Sequence, residues 1–224
     1  MFENIIKNVH NRHPLIHCIT NYVSINDCAN IVLACGGAPI MAEDINEVSQ
    51  ITSICQGLDI NIGMLNDNKL SSMLKAGATA NELGIPVILD PVGAGSSDYR
   101  IKAVQNLMSN VQFGVIRGNV SEIKAIAAKQ GIHNIAAGVY ETMQKNKSAM
   151  GVEAGIADKI TDDNIKEMAD FINKLSQKTG AVIAVTGGID MVADENRVYA
   201  IRNGHKMMSL VTGAGCQLSA LTSA

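Results

Sequence analysis

Pro86-Val87-Ile88-Leu89-Asp90-Pro91-Val92-Gly93-Ala94-Gly95 runs four apolar residues straight into a carboxylate, a proline and two glycines. An uninterrupted apolar run is what a parallel strand covered on both faces requires, because neither face meets water. Working outward, shorter runs repeat the theme: Leu15 to Ile19, Leu58 to Ile62, Phe113 to Ile116 ending in Arg117-Gly118-Asn119, and Ala181 to Val185 ending in Thr186-Gly187-Gly188. Helical patterns alternate with them. Tyr22 to Cys35 predicts a helix stopped by Gly36-Gly37, followed by one over about Glu47 to Cys55. Lys69 to Leu83 places Leu70, Met73 and Leu74 on one face, with Gly84 as its C-cap. Val120 to Gln130 predicts another helix, and Ile165, Met168, Ala169, Ile172 and Leu175 mark a further amphipathic one. This alternation predicts an α/β sheet with helices on its faces. Asp190 to Met208, turning about Asp194-Glu195-Asn196, predicts a β-hairpin or meander at a sheet edge. Between 131 and 160 no periodicity holds, and a surface excursion with a short helix over about 140–145 is expected. One domain over 1–224 is the economical organisation.

Composition excludes several classes of function. Of 224 residues, 47% are hydrophobic, enough for a sizeable core, while the net charge is −3 with no long run of either sign. No electrostatic footprint for nucleic acid or an anionic membrane results. With no Trp, three Phe and four Tyr, stacking platforms for bases or sugars are not expected. The five cysteines include no C-x-x-C pair, which fits a reducing cytoplasm better than disulfides or a zinc site. Cys28 and Cys35 are expected as small buried hydrophobes on one helix face. No segment approaches the ~20 apolar residues of a membrane span. Met1-Phe2-Glu3-Asn4-Ile5-Ile6-Lys7 has no basic stretch followed by an apolar core, so no secretion signal is expected and the predicted location is cytoplasmic.

Polar residues and glycines gather where the predicted strands end, the edge at which open α/β sheets bind ligands. Asp90 is costly to bury unpartnered, so it faces a cation, a donor or water; capping the turn before Pro91 is the alternative. Glu122 lies three residues after Asn119 at a helix start. That spacing suits a capping box, or, beside Asp90, a pair holding Mg²⁺ against phosphate oxygens. Arg117 contacts phosphate or forms a structural ion pair; Thr186 binds phosphate or begins a turn. Thr212-Gly213-Ala214-Gly215-Cys216 opens a helix whose N-terminus makes an anion cradle with a thiol inside it. There is no G-x-x-x-x-G-K-[ST], and no G-x-G-x-x-G follows the first strand. The five histidines show no metal spacing, and His17, inside a strand, is expected as a satisfied core or rim residue.

Taken together, seven stretches in order resemble the hydroxyethylthiazole kinase family. They are Ile19-Thr20-Asn21-Tyr22-Val23 with Asn26-Asp27-Cys28-Ala29-Asn30, then Ala38-Pro39-Ile40-Met41-Ala42, Asn61-Ile62-Gly63, Val87-Ile88-Leu89-Asp90-Pro91-Val92-Gly93-Ala94, Ile116-Arg117-Gly118-Asn119-Val120-Ser121-Glu122, Ala184-Val185-Thr186-Gly187, and Thr212-Gly213-Ala214-Gly215-Cys216. The resemblance runs from about Pro14 to the end, except in 131–160. It implies a ribokinase-like three-layer α/β/α fold with a mainly parallel central sheet. The implied activity is MgATP-dependent phosphorylation of the hydroxyl of 4-methyl-5-(2-hydroxyethyl)thiazole, a salvage step towards thiamine. By the same resemblance Met41 and Gly213 contact the thiazole, Asn21 and Gly63 line that pocket, Arg117 and Thr186 contact ATP, and Asp90 and Glu122 serve the magnesium. A homotrimer is the implied assembly.

Phosphoryl transfer passes through a loose transition state, so positioning and charge neutralisation dominate and a base contributes less. Cys216 is the candidate base, with its thiolate favoured by the helix N-terminus. The alternatives are another ribokinase-like alcohol kinase, for hydroxymethylpyrimidine or pyridoxal, a dehydratase of damaged nicotinamide cofactors, and a non-catalytic ligand-binding fragment. The last arises because the sequence stops only eight residues after Cys216, where family members continue with further helices.

Overall fold

The computed structural model describes residues 2–132 and 159–224. In chain order its elements are α1 (Phe2–Arg12), β1 (Leu15–Ile19), α2 (Ile25–Ala34), β2 (Ala38–Ile40), α3 (Val48–Ser53), β3 (Gly57–Asn61), α4 (Asp67–Glu82), β4 (Val87–Asp90), α5 (Asp98–Asn110), β5 (Val115–Asn119), α6 (Val120–Lys129), α7 (Ile165–Thr179), β6 (Val182–Thr186), β7 (Asp190–Ala193), β8 (Val198–Ile201), a 3-10 turn (Lys206–Leu210) and α8 (Ala214–Thr222). They fall into two compact units. One takes the described residues of Met1–Asp90, Leu107–Phe113 and Ser209–Ala224; the other takes those of Pro91–Asn106 and Gly114–Met208.

In the first unit β1 lies between β2 and β3, and β3 pairs with β4, all parallel. The apolar run Val87-Ile88-Leu89 is fully buried, as a strand covered on both faces must be. Right-handed crossovers explain the cover. The chain steps from β1 one way to β2 and back the other way to β3, so α2 and α3 fall on opposite faces. α8 packs on α2, β3 and β4, whereas α3 packs on α4 and α4 on β3 and β4. The register sets Asn61 beside Asp90 at the carboxyl ends of β3 and β4. Parallel neighbours in register send their side chains to the same face, and this brings an amide against a carboxylate.

In the second unit β5 and β6 are parallel, and β7 and β8 follow antiparallel. α6 packs on β5 and β6, and α7 on β6 and β7.

Several boundaries differ from the sequence expectations. The helix expected from Tyr22 starts at Ile25, because the Asn21 side chain takes the Ser24 backbone N–H and holds the chain in a turn. The strand expected over Phe113 to Ile116 is Val115–Asn119. Arg117, Gly118 and Asn119 thus lie inside the ladder opposite Ala184, Val185 and Thr186, since backbone pairing continues whatever the side chains. The edge hairpin expected to Met208 ends at Ile201, and 3-10 geometry follows. α1, β2 and α5 went unpredicted; β2 is three residues long, too short for any period to show. Cys35 is half-buried rather than buried, since it sits past the last turn of α2 with its thiol donating to the Val32 carbonyl. The excursion and short helix expected within 131–160 fall largely at 133–158, outside the described residues. Among the described residues no helix is long and apolar enough to cross a membrane.

Candidate active site

In the first unit the polar residues at the strand ends form one hydrogen-bonded chain. Asn21, two residues past β1, accepts from the Ser24 backbone N–H and hydroxyl, both at 3.1 Å. Its Nδ2 donates to the Cys216 Sγ at 3.2 Å and to the Asn61 Oδ1 at 3.1 Å. Asn61 Oδ1 also accepts the Gly63 N–H at 2.9 Å, and its Nδ2 donates to the Asp90 Oδ2 at 2.7 Å. With two N–H groups directed at its oxygen, the Asn61 amide has only one orientation, which turns its nitrogen to the carboxylate. All four side chains are buried, so each bond made here offsets a desolvation that water no longer repairs.

Two glycines leave room for this chain. A Cβ at Gly63 would stand 2.9 Å from both the Asn21 Nδ2 and the Asn61 Oδ1. Gly213 precedes α8 with φ +75, a left-handed conformation that favours glycine, and a Cβ there would lie 2.7 Å from the Ser24 Cβ. Met41 follows β2 directly and is half-buried. It is not a member of the network; its neighbour Ala42 is anchored instead, by the His17 Nε2–H donating to its carbonyl at 2.8 Å. The Thr52 hydroxyl donates to the other His17 nitrogen at 2.9 Å, confirming His17 as a satisfied core residue. Burial lowers its pKa from 6.5, against the opposing pull of the Ala42 bond.

Cys216 corrects an expectation. Burial first, and the Asp90 charge second, push its thiol above the ordinary 9.0, while hydrogen bonds from Ser24, Asn21 and Asn61 pull the other way. Desolvation and a neighbouring carboxylate thus favour the thiol over the thiolate.

The second unit holds the other predicted residues. Arg117 Nη2 donates to the Thr186 Oγ1 at 2.7 Å, so these two candidates for one ligand are in contact. Glu122 makes the capping box foreseen as its alternative: Asn119 Oδ1 accepts the Glu122 N–H at 2.9 Å, and Glu122 Oε2 accepts the Asn119 N–H at 2.8 Å. Its Oε1 accepts the Gly93 N–H at 2.8 Å. Both oxygens thus hold backbone amides.

Sequence reasoning passed over Asn61 and Ser24 as site residues. The signal for Asn61 was a polar residue closing an apolar strand two positions before Gly63; nothing in the spacing singled out Ser24.

A ribokinase-like superfamily protein from Enterococcus faecalis shares this architecture, with a TM-score of 0.56 at 10% identity over 93% of this chain and 69% of that one. The fold is therefore the ribokinase-like α/β fold. The model of the hydroxyethylthiazole kinase family matches residues 6–224. The hydroxyethylthiazole kinase of Clostridium acetobutylicum is 52% identical over 224 residues, all of this chain and 76% of that protein. A solved structure of a hydroxyethylthiazole kinase protein from Pyrococcus horikoshii OT3 has a TM-score of 0.81 and 33% identity, over 98% of this chain and 74% of that one. The chain belongs to the hydroxyethylthiazole kinase family, as its seven motifs implied.

Proposed function

We propose that the chain transfers the γ-phosphoryl group of ATP to the hydroxyl of 4-methyl-5-(2-hydroxyethyl)thiazole, a salvage step towards thiamine. The observation that carries this reading is the buried chain Cys216–Asn21–Asn61–Asp90 in a member of this family. Transfer to an alcohol requires a fixed hydroxyl, a destination for its proton and neutralised phosphate charge. The chain supplies fixed groups: Asn21 and Asn61 hold a thiol and a carboxylate in set orientations, with no cost of rearrangement when the reaction occurs.

Asn21, Gly63, Met41 and Gly213 form the thiazole side, and Arg117 with Thr186 holds ATP. Cys216 acts as a modest base through the minor fraction of its thiolate form. Because the transition state is loose, the alcohol proton moves late and a weak acceptor suffices. Asp90 and Glu122 offer the hard carboxylate oxygens that Mg²⁺ prefers. Each carboxylate suits an ion that keeps most of its water, since Glu122 already carries two backbone amides and Asp90 carries Asn61. Bound by these residues, the ion would neutralise phosphate charge. The proposal extends to one kinase domain per chain, a homotrimer, and the cytoplasm, where free thiols such as the five here persist.

The test is MgATP turnover by the purified protein with the thiazole alcohol, hydroxymethylpyrimidine and pyridoxal in parallel. ADP and a phosphorylated thiazole identified by mass are expected. Faster turnover of the pyrimidine or pyridoxal would overturn the substrate assignment, and thiazole binding without any product would favour a non-catalytic protein.

A further inference from the structure

Lys69 stands in the first turn of α4, three residues after the N-cap Asn66, whose side chain accepts the Lys69 N–H at 2.9 Å. A cation there opposes the helix dipole, and the position ordinarily suits Glu. Its placement therefore has a tertiary cause. The side chain is only 4% exposed, and its ammonium reaches two separate segments. It donates to the Thr20 carbonyl, lies 4.7 Å from the centre of the Tyr22 ring, and pairs with the Glu43 Oε2 at 2.8 Å. The Tyr22 hydroxyl donates to the other Glu43 oxygen and closes the ring of contacts.

The two segments held in this way carry Asn21 and Met41. Thr20 and Tyr22 flank Asn21, whose amide orients Cys216. Glu43 lies two residues beyond Met41, next to the Ala42 carbonyl anchored by His17. One ammonium with three donors ties both segments, since neither is held there by strand pairing. A cation–π contact and an ion pair buried at its lysine end share this nitrogen, and each is strong only while the partners keep their geometry.

We infer that Lys69 is a positioning residue for the alcohol pocket: it clamps the Asn21 turn to the Met41 segment and sets the affinity for the alcohol without touching the nucleotide. This rests on the proposed assignment of Asn21 and Met41 to that pocket.

Two readouts test it. In Lys69→Met the KM for the thiazole alcohol should rise about tenfold or more, because a small displacement of lining groups is amplified in binding, while the KM for ATP stays within about twofold. Lys69→Arg, which keeps charge and donors, should recover most of that loss. Glu43→Gln, at the more exposed end, should raise the alcohol KM by about threefold and is the variant to use if Lys69→Met does not fold. Amide hydrogen exchange without ligand should quicken in Lys69→Met at 20–24 and 41–46 and nowhere else. A fall in kcat with both KM values unchanged, or faster exchange spread over the whole chain, would show a general structural role and overturn the clamp. Wild-type protein that ignores the thiazole alcohol would instead defeat the substrate assignment, and the exchange pattern would still decide the clamp.

Discussion

Asp90 and Glu122 were paired in the sequence as carboxylates for one ion, yet they occupy opposite kinds of surroundings. Asp90 ends a fully buried parallel strand and takes a side-chain bond from Asn61, itself oriented by Gly63 and Asn21. Glu122 opens a helix and spends both oxygens on backbone amides, those of Asn119 and Gly93. The first carboxylate is held by side chains that also hold the thiol. The second is held by main chain that needs it to finish a helix and pin a turn. A carboxylate serving the backbone has less freedom to serve a ligand.

The largest expected effect tests that contrast directly. Asp90→Asn should lower kcat by about 10²–10³-fold, the scale of losing one preorganised electrostatic group. Glu122→Gln should cost less activity, about 10–100-fold as for a supporting ligand, with a lower Tm because one partner of the capping box weakens. Equal losses of kcat at equal Tm would break the comparison.

Next in size is Cys216. Since its thiol lies above the ordinary value, Cys216→Ala should slow turnover by at most about 10²-fold without abolishing it, and Cys216→Asp should retain or gain activity. Activity lost completely in both folded variants would return the thiol to an essential role. For the second unit, Thr186→Val removes the acceptor of the Arg117 bond; the KM for ATP should rise about 5–10-fold with the alcohol KM unchanged, as measured by varying each substrate in turn. The smallest effect belongs to His17. Its folded pKa lies below 6.5, so the unfolded chain binds more protons, and stability is present above 6.5 and lost as pH falls towards the folded value. Denaturant midpoints of the wild type should therefore drop from pH 7.5 to pH 5.5 by more than those of His17→Gln.

Much of the fold was legible because its signals are local. The apolar run 87–89, the helical faces of α4 and α7, and the Asn119–Glu122 spacing each depend on a few neighbouring residues. What escaped depended on partners far away in the chain. Asn61 became a hub only because the β3–β4 register sets it beside Asp90, 29 residues on. Lys69 passed unremarked on a helix that pattern located correctly, since its partners Thr20 and Glu43 lie on other segments.

By itself the sequence determined the strand and helix alternation, the family, and nearly all the residue types at the site, since periodicity and ordered motifs are properties of the chain. Only the tertiary structure decided what those residues are to one another. It shifted Cys216 towards the thiol, because burial and the Asp90 charge act through space. It also made Glu122 a helix cap and joined Asn21, Asn61, Asp90 and Cys216 into one chain, because hydrogen bonds are settled by register and packing.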